Sequence, residues 1–212
     1  MPVHAVVDLR PQFAEVRHQA SRPTCMAFAA SDAHAFARGK PDHLSVEYAF
    51  FHAVQRKPVP DPSTGVAFSH ISAAIEIDGQ PLERGWPYTS ASLSPDRWKP
   101  PKDPGELFRR TSNAATLDID MICTTLDAGR PMMIIMDVSQ VFYSATGGGI
   151  ISPALEPRIN THAVIAVGHG TANGARCILI RNSWGKGWAD QGYAWTHEHY
   201  LKPRLLVLGV MN

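Results

Sequence analysis

Cysteine is scarce in this sequence, which has only Cys25, Cys123 and Cys177 among its 212 residues. Three cysteines spread along a chain give no framework of disulfide bonds, so a reducing compartment is the simpler interpretation. The sequence also lacks an Asn-x-Ser/Thr sequon, which agrees with a chain that never meets the glycosylation machinery.

Clusters of positive charge and long apolar runs are missing as well. Charged residues make up 18% of the chain, the formal net charge is +1, and no Lys/Arg run is dense enough to indicate a nucleic-acid or membrane patch. The longest apolar runs, such as PMMIIM at 131–136, are too short to span a bilayer, and no cationic segment precedes an apolar one at the start. We therefore expect no nucleic-acid partner, no membrane partner and no export signal.

Helix signals dominate the first hundred residues. The alanine-rich stretch CMAFAASDAHAFAR predicts a helix over about 25–38. A second helix is expected after Ser45, because serine is a good N-cap. Apolar residues at helical spacing in VAFSHISAAIEIDG predict a third helix that ends at Gly79.

Short apolar runs bounded by Gly, Asn or Pro dominate the second half. They are MMIIMDV, AVIAVG, CILIRN, GYAW and LLVLGV, and such runs predict a packed antiparallel sheet or barrel. One more short helix is expected before them, with Asp120 near its start and Gly129 beyond its end. A Pro-rich loop at 94–105 separates the halves, and we place a boundary between two lobes near 105–113. The sequence therefore predicts an α+β fold.

Cys25 lies at the predicted start of the first helix, where the helix dipole favours a thiolate and lowers the pKa of the thiol. A cysteine in an alanine-rich helix can equally be a small buried apolar residue. A nucleophilic thiol also needs an imidazole and a third group that orients this imidazole. His162 begins an apolar strand, Asn182 ends the next one, and Trp184 follows closely, so these residues are the candidates.

Several motifs follow one another in a fixed order along nearly the whole chain. They are VVDLRPQFAEVRHQ at 6–19, Gln19 six residues before Cys25, STGVAFSHISAAIEIDGQPLERGWPY at 63–88, HAVIAVGHG from His162, and NSWGKGWADQGY from Asn182. With this set the chain resembles the papain family of cysteine peptidases, in particular its bacterial members. His162 and Asn182 follow Cys25 at distances of 137 and 157 residues, close to the roughly 130 to 150 residues of that family.

The resemblance implies a papain-like fold of two lobes with the active cleft between them. A mainly helical lobe would cover about 9–105 and an antiparallel, β-barrel-like lobe about 106–212, and residues 1–8 could cross onto the second lobe. The chemistry of this family requires no cofactor and no metal.

The resemblance also implies a role for each site residue. Cys25 would attack the scissile carbonyl as a thiolate paired with His162, which gives a thioester acyl-enzyme that water hydrolyses. The side chain of Gln19 and the backbone N–H of Cys25 would donate hydrogen bonds to the oxyanion. Asn182 would orient His162, and Trp184 would shield their hydrogen bond from water, although a core aromatic is also a sufficient explanation of Trp184.

Substrate contacts are less specific in the sequence. Gly65 matches the position where family members pair backbone to backbone with an extended substrate, and a glycine permits that approach. The alternative is a simple loop glycine before a helix. Val66 and Ala163 could line the main side-chain pocket, but core packing explains them equally well.

The sequence departs from the family pattern at four positions. Arg22 stands where the family has a disulfide cysteine, and Met26 stands where it has a tryptophan; neither change removes a catalytic group. His169 replaces a common tyrosine and is interpreted as structural. Thr161 precedes His162 where an acidic or amide residue is common, so the pH profile could differ.

The sequence therefore predicts a cysteine peptidase, a hydrolase that acts as an endopeptidase on a peptide or protein substrate. The alternatives are an amidase or acyltransferase that uses the same acyl-enzyme, and a non-catalytic peptide-binding or effector module. No pro-segment precedes residue 1, so we expect either a processed or excised domain, or control by delivery, by an inhibitor or regulatory partner, or by narrow specificity. The Arg/Ala/Pro-rich composition without disulfides favours a bacterial enzyme of the cytoplasm or a delivered effector.

Overall fold

Helices lie mainly in the first part of the chain and strands mainly in the second. The computed structural model describes residues 2–40, 42–91, 97–153 and 156–212. The helices are α1 Cys25–Ala37, α2 Val46–Val54, α3 Phe68–Ala73, α4 Ile119–Asp127, α5 Gln140–Tyr143 and α6 Glu198–Leu201. The strands are β1 His4–Asp8, β2 Ser112–Ala115, β3 Met132–Val138, β4 Ile150–Ile151, β5 Asn160–Ala172, β6 Ala175–Arg181, β7 Tyr193–His197 and β8 Leu205–Met211. This mixture confirms the predicted α+β fold. Part of the predicted Pro-rich loop, 94–96, lies outside the described residues, and the lobe boundary stays a prediction.

The first three helices follow the local signals that predicted them. α1 begins at Cys25 and is followed by Gly39, which adopts a φ of +65° that glycine reaches without strain. Ser45 caps α2, because its side-chain oxygen accepts a hydrogen bond from a backbone N–H of the first turn at 3.1 Å. α3 continues as a π-helical turn over Ala74–Asp78 and stops at Gly79. No helix in the described ranges is long and apolar enough to cross a membrane.

One sheet joins the strands in the order β2-β8-β3-β5-β6-β7-β4, and β1 pairs with β5 outside this path. The neighbours are antiparallel, except that β4 and β7 run parallel. Within the described residues, the end strands β2 and β4 do not pair with each other, so the sheet is open where the sequence suggested a barrel-like lobe. Closure depends on pairing between distant strands, which the individual apolar runs do not encode.

The sheet register brings the start of β5 and the end of β6 to one edge. His162, near the start of β5, pairs with Met136 of β3. β6 runs antiparallel to β5 and ends at Arg181, which pairs with Ile165. Since Asn182 follows Arg181 directly, its side chain comes to lie beside His162.

Two glycines of β5 leave room for the backbone of β1. A Cβ atom at Gly168 would lie 2.4 Å from the carbonyl oxygen of Val7, and one at Gly170 would lie 2.4 Å from the carbonyl oxygen of His4. Any side chain at either position would therefore displace the strand. The N-terminal segment pairs in this way with the strand that carries His162.

Arg181 links the sheet to α1 through a buried network. Its Nε donates to Asp32 Oδ2 at 2.7 Å, its Nη1 to the Tyr193 hydroxyl at 2.6 Å, and its Nη2 to the Glu15 carbonyl oxygen at 2.8 Å. Arg17 lies on the other oxygen of Asp32, at 3.3 Å. The guanidinium is thus paired on each side, which offsets the cost of burying its charge.

His34 of α1 is fully buried and holds a second polar network. Its Nδ1 lies 3.0 Å from Gln80 Oε1, and the amide nitrogen of Gln80 donates to Ser31 Oγ and, at 2.9 Å, to the Ser45 carbonyl oxygen. Burial lowers the pKa of His34 to about 4, and the hydrogen bond to Gln80 opposes this shift. The folded protein therefore holds this imidazole neutral well below the pH at which the unfolded chain charges it.

We expect the free energy of unfolding to decrease as the pH falls from about 6.5 to about 4. In this window the unfolded chain binds a proton at His34 that the folded chain does not bind, which removes up to about 3 kcal/mol of stability. Urea unfolding across this range measures the effect. His34→Asn, which retains a donor for Gln80, should remove the share of this pH dependence that belongs to His34 and leave the share of His162, whose pKa burial also lowers to about 4. His4→Asn, at an exposed histidine, should change the slope less. Equal pH slopes in all three proteins would contradict the assignment.

Candidate active site

A cleft of about 610 Å³ opens beside the N-terminus of α1. Its lining includes the predicted site residues Gln19, Cys25, Gly65, His162 and Trp184, together with His18, Arg22, Tyr143 and Thr161. Among the other predicted residues, all of which are described, Asn182 lies behind His162, Val66 packs against the core and Ala163 is buried. Neither Val66 nor Ala163 is among the residues that line this cleft, so their place in a substrate pocket stays a prediction.

Cys25 is the first residue of α1 and is partly exposed. Burial raises the pKa of its thiol, and hydrogen bonds from the backbone N–H groups of Ala163 and Met26 act against this rise. The sequence predicted a lowered thiol pKa from the helix dipole, and desolvation outweighs that effect here. The contact with Ala163 places the sulfur beside the start of β5, one residue from His162.

His162 is buried and held by Asn182, whose Oδ1 lies 2.7 Å from His162 Nε2. The same Oδ1 accepts the backbone N–H of Ser183 at 2.8 Å, which fixes the orientation of the amide. Because Asn182 presents an acceptor, Nε2 carries the proton and Nδ1 is the nitrogen left for the thiol. Burial lowers the pKa of His162 to about 4, and the bond to Asn182 acts in the opposite direction.

Burial thus opposes a charge on Cys25 and on His162 when each is considered alone. A thiolate and an imidazolium that form together in contact stabilise each other where water is excluded. Both side chains line the same cleft, so a proton exchanged between them would create no net charge there.

Trp184 covers the imidazole of His162, with the ring centres 4.6 Å apart. Its other neighbours include Tyr143, whose ring stacks on it at 4.9 Å with 23° between the planes, and Phe142, which meets it edge-on. Tyr143 also lines the cleft. The sequence did not predict a role for Tyr143. The stretch QVFY carries no catalytic or binding motif, and its only indication is an aromatic residue close to the end of a strand.

The side chain of Gln19 is fixed from both sides. Its Nε2 donates to the Arg22 carbonyl oxygen at 2.9 Å, and its Oε1 accepts from Ser183 Oγ at 2.6 Å. One N–H of the amide remains available, and Gln19 lines the cleft. Ser183 is a further functional candidate that sequence analysis did not single out, although it lies inside the NSWG motif.

The departures from the family pattern have structural partners. His169 is mostly buried and bonds Asp127 of α4 at 2.7 Å, in agreement with a structural role. Thr161 donates to Asp137 Oδ1 at 3.1 Å and accepts from Arg158 at 2.9 Å. The carboxylate of Asp137, on the neighbouring strand β3, is therefore hydrogen-bonded to Thr161, the position where the family often has an acidic residue.

The sequence model of the papain family cysteine proteases matches residues 3–202 of this chain. The chain belongs to this family. One relative, the cysteine protease of Blomia tropicalis, is 25% identical over 201 residues, which cover 89% of this chain and 59% of the relative. The cathepsin L-like proteinase of Fasciola hepatica is 38% identical over 66 residues, or 31% of this chain and 20% of that protein. The chain thus spans less than two thirds of the length of either relative.

Solved structures share the papain-like fold over almost the whole chain. Xylellain, a cysteine protease from Xylella fastidiosa, superposes with a TM-score of 0.80 at 21% identity. The match covers 99% of this chain and 86% of the xylellain chain. The Carica candamarcensis cysteine protease CMS1MS2, in complex with E-64, gives a TM-score of 0.77 at 20% identity and covers 97% of both chains. The predicted papain-like fold is thereby confirmed.

Proposed function

We propose that this papain-family chain hydrolyses peptide bonds as an endopeptidase, through a covalent thioester on Cys25. The observation that carries the proposal is the meeting of four groups at one cleft. Cys25 and His162 both line it, Asn182 holds His162, and the oriented amide of Gln19 faces it. These groups are the nucleophile, the base, its orienting group and a donor that acyl transfer requires.

In the first step the Cys25 sulfur attacks the scissile carbonyl carbon, and its proton passes to Nδ1 of His162. The carbonyl oxygen gains the negative charge and receives hydrogen bonds from Gln19 Nε2 and from the Cys25 backbone N–H, each worth about 3 kcal/mol. The C–N bond then breaks as His162 gives the proton to the departing amine, which leaves a thioester on Cys25.

In the second step water attacks the thioester carbonyl. His162 takes a proton from this water, the C–S bond breaks, and the sulfur leaves as a thiolate. Asn182 accepts the Nε2–H of His162 throughout, which keeps the ring in the tautomer and the orientation that both steps need. Trp184 covers the side of this bond and excludes water from it.

An extended peptide is the substrate that fits the groups around the cleft. A Cβ atom at Gly65 would make only an ordinary contact, 3.7 Å from the Pro23 carbonyl oxygen, so packing does not require a glycine there. A bare backbone that lines the cleft suits pairing with a substrate strand. The sequence has no obvious insertion that would block one end of the cleft, which is why we propose internal cleavage.

We expect a thiol-directed epoxide to modify Cys25 and to leave the other two cysteines unmodified, because Cys25 lines the cleft while Cys123 and Cys177 are buried. Peptide mapping by mass spectrometry locates the adduct. The modified protein should cleave none of a panel of fluorogenic peptides that the free protein cleaves. By analogy with the complex of the Carica candamarcensis protease, E-64 should bind this cleft and prevent the labelling.

The same assay distinguishes the rival functions. Labelling of Cys25 without turnover of any peptide would contradict hydrolysis and leave a peptide-binding module. Product that forms only when a second amine is added would indicate acyl transfer. Mass spectrometry of an unlabelled protein substrate should show cuts at internal bonds, and release of terminal residues alone would contradict the endopeptidase mode.

A further inference from the structure

Arg22 lies in the loop between Gln19 and Cys25, yet its side chain is almost completely buried, with 7% exposed. Its guanidinium makes a two-pronged contact with Glu47 of α2, Nη1 to Oε2 at 2.6 Å and Nη2 to Oε1 at 2.8 Å. Nη1 also donates to the Thr89 carbonyl oxygen at 2.6 Å. The paired geometry is specific to arginine, because a lysine cannot present two parallel donors.

Glu47 is fully buried and is satisfied on all sides. Besides Arg22, it accepts the indole N–H of Trp98 at 2.6 Å and the backbone N–H of Thr89 at 3.4 Å. The Arg22 guanidinium also lies 5.0 Å from the ring centre of Tyr88. A buried carboxylate with this many donors holds Arg22 in one position.

The backbone of the same arginine reaches the site. The Arg22 carbonyl oxygen accepts the Nε2–H of Gln19 at 2.9 Å, so it sets the direction in which the second N–H of that amide points. Tyr88, packed against the guanidinium, donates from its hydroxyl to the Gln19 carbonyl oxygen at 2.7 Å and lies 2.9 Å from Thr24 Oγ1. The segment 19–24 is thereby fixed at both ends to one buried cluster.

We propose that Arg22, through its ion pair with Glu47, is a positioning residue for the oxyanion donor Gln19. The inference rests on the proposed function for the role of Gln19. Arg22 touches no reacting atom. It acts through its carbonyl oxygen. The ion pair holds this oxygen in the position where it accepts one N–H of Gln19, so that the other N–H of the amide points into the cleft.

Arg22→Met, which keeps the bulk of the side chain without its charge, tests this role. We expect kcat for a fluorogenic peptide to fall about 10- to 100-fold, because a donor displaced by about 1 Å loses most of its effect. The KM should stay within about threefold. Alkylation of Cys25 by iodoacetamide, a displacement that creates no oxyanion, should also stay within about threefold. Arg22→Lys should recover part of kcat, and Glu47→Gln should lower it.

The decisive comparison introduces Arg22→Met into a protein that already carries Gln19→Ala. If Arg22 acts through Gln19, Arg22→Met should cost less than about threefold in kcat once Gln19 is alanine, since interacting residues are not additive. Equal losses in both backgrounds would overturn the proposal, and so would a loss of alkylation that matches the loss of kcat. Arg176→Met, which breaks an Arg–Glu pair that does not line the cleft, is the matched control and should leave kcat unchanged.

Hydrogen exchange separates this proposal from the proposed function. In Arg22→Met and in Glu47→Gln, amide exchange in the peptide that covers 19–24 should speed up at least about tenfold, and in Arg176→Met it should not. If the wild-type protein cleaves no peptide, the proposed function fails, but this readout still decides on the ion pair. Unchanged exchange in both variants would overturn the positioning role whatever the wild-type protein does.

Discussion

Replacement of Cys25 by alanine is expected to reduce kcat/KM for peptide cleavage by at least about 10⁴-fold. Without the sulfur no thioester can form, and only binding and the oxyanion donors remain to accelerate the attack of water. The side chain is small, partly exposed and placed at the first turn of α1, so the fold should tolerate the change within about 1 kcal/mol.

A fluorogenic peptide assay, corrected by thermal unfolding for the folded fraction, measures this loss. Cys123→Ala is the matched control, because it removes a thiol from a buried position of α4 that does not line the cleft. This control should retain its activity within about threefold. If wild type and Cys25→Ala cleave at the same rate, the hydrolase proposal is lost.

Arg181→Met should lower the free energy of unfolding by about 3 to 5 kcal/mol. The substitution removes the buried guanidinium that pairs with Asp32, whose side chain is 12% exposed, and leaves Arg17 as the only remaining positive partner described for this carboxylate. Burial acts to raise the pKa of Asp32, but the charges of Arg181 and Arg17 outweigh it and hold this pKa below its ordinary value. With Arg17 alone, at 3.3 Å, that carboxylate should become easier to protonate.

Urea unfolding at neutral pH measures the loss, with Arg10→Met as the matched control. Arg10 pairs with Asp8 at 2.6 Å, but 35% of its side chain is exposed, and such surface pairs contribute about 1 kcal/mol or less. The double variant Arg181→Met/Asp32→Leu should recover part of the stability, because both charges of this pair are then gone. A loss no larger than that of Arg10→Met would contradict a stabilising role for the buried pair.

Local signals in the sequence predicted the elements well, because each depends on neighbouring residues. The alanine-rich stretch after Cys25 forms α1, Ser45 caps α2, and Gly79 ends the third helical segment. The apolar runs became strands because each is short and bounded by turn residues. The positions of Cys25 and His162 at a helix start and a strand start followed from the same local patterns and from the resemblance.

Contacts between distant residues could not be read from these patterns. Gln19 and Ser183 are 164 residues apart, and Asp32 and Arg181 are 149 residues apart. No periodicity links such pairs, since only the folded chain brings them together. The direction of the thiol pKa was wrong for the same reason, because burial of the sulfur depends on β5, which packs against α1 from far along the chain.

The buried ion pair of Arg22 and Glu47 holds the loop before Cys25, and the three thiols of the chain, all within the described residues, are free. Millimolar dithiothreitol, which keeps the sulfur of Cys25 available, therefore cuts no covalent cross-link among these cysteines. Storage and assay can therefore share one strongly reducing buffer, and these three cysteines require no oxidative refolding step.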